Sequence, residues 1–157
     1  MKPSNSRTKL LAVASLGGHW MQLLRLCGEL QQHYDIAYVT TNSGAASMLP
    51  EGATLHTVTD FSRWDAWRLP AVAWRMWRII RREHPGAILT TGAAPGLIAV
   101  AVGRLCGVRT VWVDSIANAA TLSGSGKMAS HLAHRVFTQW PDLAHGKVEY
   151  HGNTFGL

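Results

Sequence analysis

The sequence predicts one doubly wound α/β domain with a mostly parallel sheet, on three observations. Seven short apolar runs alternate with longer amphipathic ones, and strands that alternate with helices build βαβ units with right-handed crossovers. The chain has 157 residues, 47% of them hydrophobic, enough for one real core. No internal repeat, low-complexity tract or interdomain linker breaks the alternation, so residues 1–157 read as a single Rossmann-like domain.

The first strand is expected at residues 10–14. Lys2, Arg7 and Lys9 ahead of an apolar run to Leu16 imitate a signal peptide, but the run is short and leads straight into Gly17-Gly18-His19, as a strand does. A helix is expected over 20–32, a strand over 36–40, a short helix over 45–49 and a third strand over 54–58. A helix over 71–83 and a strand over 87–91 follow. Pro95 opens the next helix, 95–106, where a missing N–H costs nothing. Then come a strand over 110–113, a helix over 127–133, and strands over 135–138 and 147–150. Residues 123–126 are too few to be a linker. Cys27 and Cys106 match no ligand or redox spacing and read as small core hydrophobes in a reducing compartment.

Composition excludes several classes. Charged residues are only 15%, against about 25% in an average globular protein, which excludes disorder. Fifteen Lys plus Arg against nine Asp plus Glu leave a net charge of +6 and favour an anionic partner. No apolar run approaches the ~18 residues of a spanning helix, so membrane contact is expected to be peripheral.

In such sheets ligands sit beyond the carboxyl ends of the strands. Three of those loops are unusual: Ser15-Leu16-Gly17-Gly18-His19, Thr90-Thr91-Gly92-Ala93-Ala94-Pro95-Gly96, and Asp114-Ser115-Ile116-Ala117-Asn118. Gly17 and Gly18 let the backbone approach a ligand while the next helix presents free N–H groups, which outlines a diphosphate site; for two glycines alone a tight strand-to-helix turn is the plainer alternative. His19, at a helix start, has the chemistry of a base or a phosphate donor. Thr91 and Gly92 offer a hydroxyl and an open backbone at the same edge. Asp114 reads three ways: a base, an acceptor for a substrate hydroxyl, or the cap of a turn.

Two nucleotide motifs fail their context. G-x-G-x-x-G is absent, and the second strand ends in Thr40-Thr41-Asn42 with no acid to hold a ribose, which disfavours an NAD enzyme. Gly124-Ser125-Gly126-Lys127 invites a P-loop reading, but Thr121 stands where the first glycine belongs and Met128 replaces the Ser or Thr.

Residues 63–82 hold four of the seven tryptophans and six of the fifteen basic residues. At helical spacing Arg75, Arg78 and Arg82 share one face, and Val72, Ala73, Met76, Ile79 and Ile80 form the opposite one. Trp74, Trp77 and Arg81 border the two, with Trp67 in the segment before. Trp67, Trp74, Trp77, Arg78 and Arg81 therefore suit an anionic headgroup layer; an ordinary surface helix packed on the sheet is the alternative. Nucleic acid is disfavoured, because the basic residues concentrate in one helix and no recognised nucleic-acid module accompanies them.

The three loops in this order, with Ser123, Gly124 and Gly126-Lys127 before a helix and then Val136-Phe137-Thr138-Gln139-Trp140, resemble the small subunit of split GT-B glycosyltransferases. That family includes PssD of bacterial exopolysaccharide synthesis, capsule-synthesis relatives and the membrane-anchoring subunit of the eukaryotic dolichol-linked GlcNAc transferase. The resemblance covers residues 9–152. It implies the amino-terminal half of a MurG-like enzyme, peripheral on the cytoplasmic face of the cell membrane, which binds a polyprenyl-diphosphate-linked sugar in exopolysaccharide or capsule synthesis. A PssE-like partner supplies the other Rossmann half and binds the nucleotide sugar, so this chain needs no cofactor or metal of its own and is inactive alone. The implied reaction is inverting transfer of a hexosyl, N-acetylhexosaminyl or uronosyl group. Matched by position, Gly17, Gly18 and His19 face the acceptor diphosphate or the interdomain cleft; from their places at strand ends His19 is the first candidate catalytic residue and Asp114 the second, with Ser15, Thr91, Gly92 and Ser115 as further acceptor- or diphosphate-binding candidates. Two departures stand out: Asp114 replaces the family's usual Glu, and His134 stands where relatives commonly carry Asp. A non-catalytic scaffold that recruits the catalytic subunit, or an independent phosphate-binding module, are the alternatives.

Overall fold

A computed structural model describes residues 6–156; Lys2 of the signal-like start and the side chain of Arg63 lie outside the described part. Seven strands, β1 (Lys9–Val13), β2 (Asp35–Thr40), β3 (Thr54–Thr57), β4 (Ala87–Thr90), β5 (Arg109–Val113), β6 (Arg135–Thr138) and β7 (Val148–Tyr150), form one sheet in the order β3-β2-β1-β4-β5-β6-β7. Every adjacent pair is parallel, with Leu11 flanked by Ala37 and Ile88. The strand order reverses beside β1, so the loops after β1 and β4 part there and leave a crevice between them.

Period-two alternation divides the core. Leu11 and Val13 pack with Val72, Met76, Ile79 and Ile80 of α2 (Leu69–Glu83) and Ile98 and Ala99 of α3 (Ala93–Leu105). Leu10, Ala12 and Ala14 pack with Trp20, Leu23 and Cys27 of α1 (Gly18–Leu30). Ala129 of α4 (Gly124–Leu132) joins Val100, Trp112 and Val136. On the α1 side the sheet is less covered toward β6. There Leu26, Leu30, Val111, Val113 and Phe137 line an apolar recess of about 290 Å³ edged by residues 151–154.

All seven expected strands are present. The expected helix at 45–49 is instead a 3₁₀ turn, Ser43–Met48, because the Asn42 side chain accepts from Gly44 N at 2.7 Å and the segment is too short to nucleate an α-helix. Pro95 is not the first helical residue: α3 begins at Ala93 and the proline sits in its first turn, where no N–H is needed. The helix expected from Lys127 starts at Gly124, since Ser123 Oγ accepts from Gly126 N at 2.8 Å as an N-cap. A 3₁₀ turn at Arg63–Arg68 precedes α2. Cys27 is buried and burial pushes its thiol up to about 12; Cys106 is only half-buried.

Glu83, the last residue of α2, closes the base of the sheet. Its carboxylate accepts from Lys9 Nζ at 2.9 Å and pairs with His56 Nε2 at 2.6 Å. Burial pushes this carboxyl up, but the hydrogen bonds from Lys9 and His56 outweigh it and hold it below the usual carboxylate range. A carboxyl depressed in the folded state adds stability above its unfolded value and loses it as pH falls through the folded value. Glu83→Gln is expected to cost about 1–3 kcal/mol at neutral pH. Urea denaturation at a series of pH values should show that deficit closing in acid.

Candidate functional site

Both helices that flank the crevice begin on glycine in a conformation only glycine tolerates well. Gly17 has φ +113° and Gly92 φ +127°, and neither α1 nor α3 has a side-chain cap on its first turn. Their leading N–H groups and positive dipole ends therefore stay free for an anion. Ala93 follows with φ +65°, a strained value for a residue with a Cβ.

His19 ties the two loops together. Its Nδ1 donates to Thr91 O at 2.9 Å, and Thr91 Oγ1 donates back to His19 O at 2.6 Å. A carbonyl can only accept, so Nδ1 carries the proton and the neutral ring keeps its Nε2 lone pair. Thr91 is buried and His19 half-buried. A Cβ at Gly92 would stand 3.0 Å from the His19 ring, so the glycine is needed for space as well as for its φ. Gly17 and Gly18 are exposed at the mouth, with Ser15 half-buried behind them.

Asp114 lies at the end of β5 and is buried. Its carboxylate accepts from Trp112 Nε1 at 3.0 Å, Asn118 Nδ2 at 3.2 Å, Ser123 N at 2.9 Å and Ser123 Oγ at 2.6 Å. Both oxygens are committed inside the loop, and none of these donors is His19. A Cβ on Gly126 would come within 2.5 Å of Asp114 Oδ1, so that glycine makes room for the acid. Ser115 Oγ accepts from Ala117 N at 3.2 Å and shapes the same turn.

The sequence reading missed Gln22. This buried residue of α1 donates through Nε2 to Asp114 O at 3.2 Å and accepts from Ile116 N at 3.3 Å. Gln139, also buried, donates to the same carbonyl at 3.3 Å, and Trp140 Nε1 donates to Ile116 O at 2.7 Å. The loop after β5 is thus pinned to α1 and to the end of β6. Helical periodicity gave no signal for it, since Gln22 lies well off the inward stripe of Trp20, Leu23 and Cys27. At the His134 departure, Thr110 N donates to the ring Nδ1 at 3.1 Å, a bond a carboxylate could equally accept.

The Trp/Arg residues lie apart from this crevice, on α2 and the turn before it. Trp67, Trp74 and Trp77 are 74%, 57% and 45% exposed, and Arg78 and Arg81 are exposed beside them. Arg68 stacks over Trp67 at 5.0 Å and Arg78 over Trp74 at 4.9 Å. Trp74, Trp77, Ala73, Val102 and Leu105 line a shallow groove between α2 and α3; Leu105 is 88% exposed and had no sequence signal. Among the described residues no helix is long and apolar enough to cross a membrane, and no cluster of three or more His, Cys, Asp or Glu is placed to hold a metal.

Parallel sheet, strand order and glycine-led helices at the switch point define the amino-terminal type of GT-B half-domain. The fold matches Acinetobacter baumannii MurG with a TM-score of 0.78 at 13% identity, over 91% of this chain and 45% of that one. It matches a UDP-N-acetylglucosamine 2-epimerase from Rickettsia bellii with a TM-score of 0.73 at 12% identity, over 95% and 46%. The chain thus spans less than half the length of either. No protein-family profile matches the sequence. Among curated proteins it is similar to the UDP-N-acetylglucosamine transferase subunit ALG14 of mouse, 29% identical over 86% of this chain and 76% of the relative. The human and Yarrowia lipolytica proteins of the same name are 26% and 25% identical, over 85% and 96% of this chain and 76% and 83% of theirs. The chain is thus similar in sequence to these ALG14 subunits and in fold to the amino-terminal half of MurG.

Proposed function

We propose that this chain is the acceptor-binding, membrane-associating subunit of a two-subunit glycosyltransferase that moves a sugar from a nucleotide sugar to a polyprenyl-diphosphate-linked saccharide in surface-polysaccharide synthesis. The observation that carries the reading is the His19–Thr91 tie, which holds two uncapped helix N-termini at one crevice in a domain less than half the length of MurG. The free N–H groups at Gly18 and after Gly92 suit the acceptor diphosphate. His19 Nε2 takes the proton of the acceptor hydroxyl as that oxygen attacks the anomeric carbon and the bond to the nucleotide diphosphate breaks. A PssE-like partner binds the donor, and transfer inverts the anomeric centre without a metal. Asp114 acts in this scheme by ordering the loop after β5 rather than as a base, since its lone pairs are spent on Trp112, Asn118 and Ser123. The exposed Trp67, Trp74 and Trp77 with Arg78 and Arg81 set the subunit on the cytoplasmic face of an anionic membrane.

The test is co-purification with the product of a neighbouring short reading frame, then transfer from a panel of nucleotide sugars to a polyprenyl-diphosphate-sugar. UDP-N-acetylglucosamine is the first donor to try, because the relatives are named for its transfer. Transfer only when both chains are present is expected. A stable chain that finds no partner and transfers nothing, yet binds soluble phosphorylated metabolites, would overturn the proposal.

A further inference from the structure

The flank of α2 facing β3 holds a charge arrangement that the crevice and the tryptophan groove do not explain. Arg75, Arg78, Arg81 and Arg82 gather with His56 and Trp77 around a recess of about 330 Å³. Arg75 and Arg78, like Arg78 and Arg82, are spaced as neighbours on the helix surface, where like charges repel. Among the described residues none of the ion pairs includes any of the four. Arg135, by contrast, is paired with both oxygens of Glu149. The nearest acid in sequence, Glu83, is already taken by Lys9 and His56. Arg75 Nε donates to Thr57 O at 3.4 Å, which leans the guanidinium across the end of β3.

We propose that this recess binds the phosphate of an anionic phospholipid headgroup, with Arg75, Arg78 and Arg82 as its donors. A phosphate supplies the missing counter-charge and accepts guanidinium groups two bonds at a time. The choice of a lipid over another polyanion rests on Trp77, which lines both this recess and the apolar groove of Trp74, Val102 and Leu105. A headgroup in the recess is therefore contiguous with the surface the exposed rings would enter, as an amphipathic indole at the interface requires. The inference rests on the membrane-associating part of the proposed function. It adds a discrete phosphate site to a general attraction for negative surfaces.

Flotation of the full chain, with its partner where co-expression supplies one, on phosphatidylcholine vesicles with and without phosphatidylglycerol tests it. The double variant Arg75→Gln/Arg82→Gln is expected to weaken binding to the phosphatidylglycerol vesicles about 25-fold, from about fivefold per arginine. Arg109→Gln/Lys147→Gln, which removes the same charge elsewhere, should change it by less than about twofold. Equal losses in both pairs would mean a diffuse field and overturn the site, as would an unchanged Arg75/Arg82 variant. A separate titration with inorganic phosphate follows the Nε–H signals of Arg75 and Arg82 by NMR. Saturation at concentrations no higher than the lipid requires would assign the recess to a soluble phosphate instead. Displacement of bound chain by duplex nucleic acid, with loss of that displacement in the Arg75/Arg82 variant, would likewise overturn it. Wild-type chain that ignores every vesicle would remove the membrane reading itself. Binding lost in Trp74→Ser/Trp77→Ser but kept in the arginine variant would remove only the site. Circular dichroism of each variant checks that the fold persists.

Discussion

His19→Ala is expected to lower turnover of the proposed two-subunit enzyme about 10²- to 10⁴-fold, the usual contribution of a positioned general base. The geometry sets up that expectation. Because Thr91 O takes the proton on Nδ1, the neutral ring has its lone pair at Nε2 and its orientation fixed by the reciprocal Thr91 Oγ1 bond to the His19 carbonyl. Alanine removes the base together with the ring's bond to Thr91 O, leaving only the Thr91 Oγ1 bond to the backbone, so a second variant separates the two losses. His19→Asn places an amide Nδ2 donor where Nδ1 stands, toward Thr91 O, but has no basic nitrogen. It should keep acceptor affinity while turnover stays as low as in the alanine variant. Recovery of turnover in His19→Asn would reduce His19 to a positioning residue, and full turnover in His19→Ala would end its role altogether. Steady-state kinetics with acceptor and donor varied separately, alongside melting curves, provide the readout.

The largest stability loss is expected at Asp114. Its carboxylate satisfies an indole N–H, an amide, a backbone N–H and a hydroxyl, all inside the protein. Alanine strands these donors in a space where water replaces them poorly, at a cost of about 3–5 kcal/mol. Asp114→Asn keeps the shape and one acceptor oxygen and should lose less. Urea denaturation measures both. The asparagine variant also tests the chemistry: turnover within a few-fold of wild type supports a loop-ordering role. Abolished turnover with stability and acceptor binding intact would return the proton transfer to Asp114. Glutamate at this position meets a steric limit. The carboxylate already lies so close to Gly126 that even a Cβ there would collide, so an added methylene forces the Ser123 cap apart.

Much of the fold was legible because its signals are local. Each strand is a short apolar run between turn residues, and each long helix carries a stripe whose period the sequence displays. The stripe of α2 is a case in point: Val72, Met76, Ile79 and Ile80 are the residues the structure buries. The errors fall where a single side chain overrides the pattern. Asn42 captures Gly44 N and tightens residues 43–48 into a 3₁₀ turn, and Ser123 captures Gly126 N and starts α4 three residues before the apolar run. Neither capture alters hydrophobic periodicity, so neither can be read from it.

At the candidate site the sequence by itself determined which loops carry glycine, histidine and acid, and that these loops follow the first, fourth and fifth strands. Composition and motif spacing suffice for that, since backbone freedom and side-chain chemistry are properties of the residues alone. Which of those groups meet was decided by the tertiary structure. His19 and Thr91 are 72 residues apart, Gln22 and Asp114 are 92 apart, and the strand order that brings them together places β4 directly against β1. The same packing that aims His19 across the crevice turns Asp114 inward onto Trp112 and Ser123. The donors to its carboxylate, Trp112, Asn118 and Ser123, lie within nine residues of it, but the loop that carries them is pinned by Gln22 and Gln139, 92 and 25 residues away, and no local pattern encodes that.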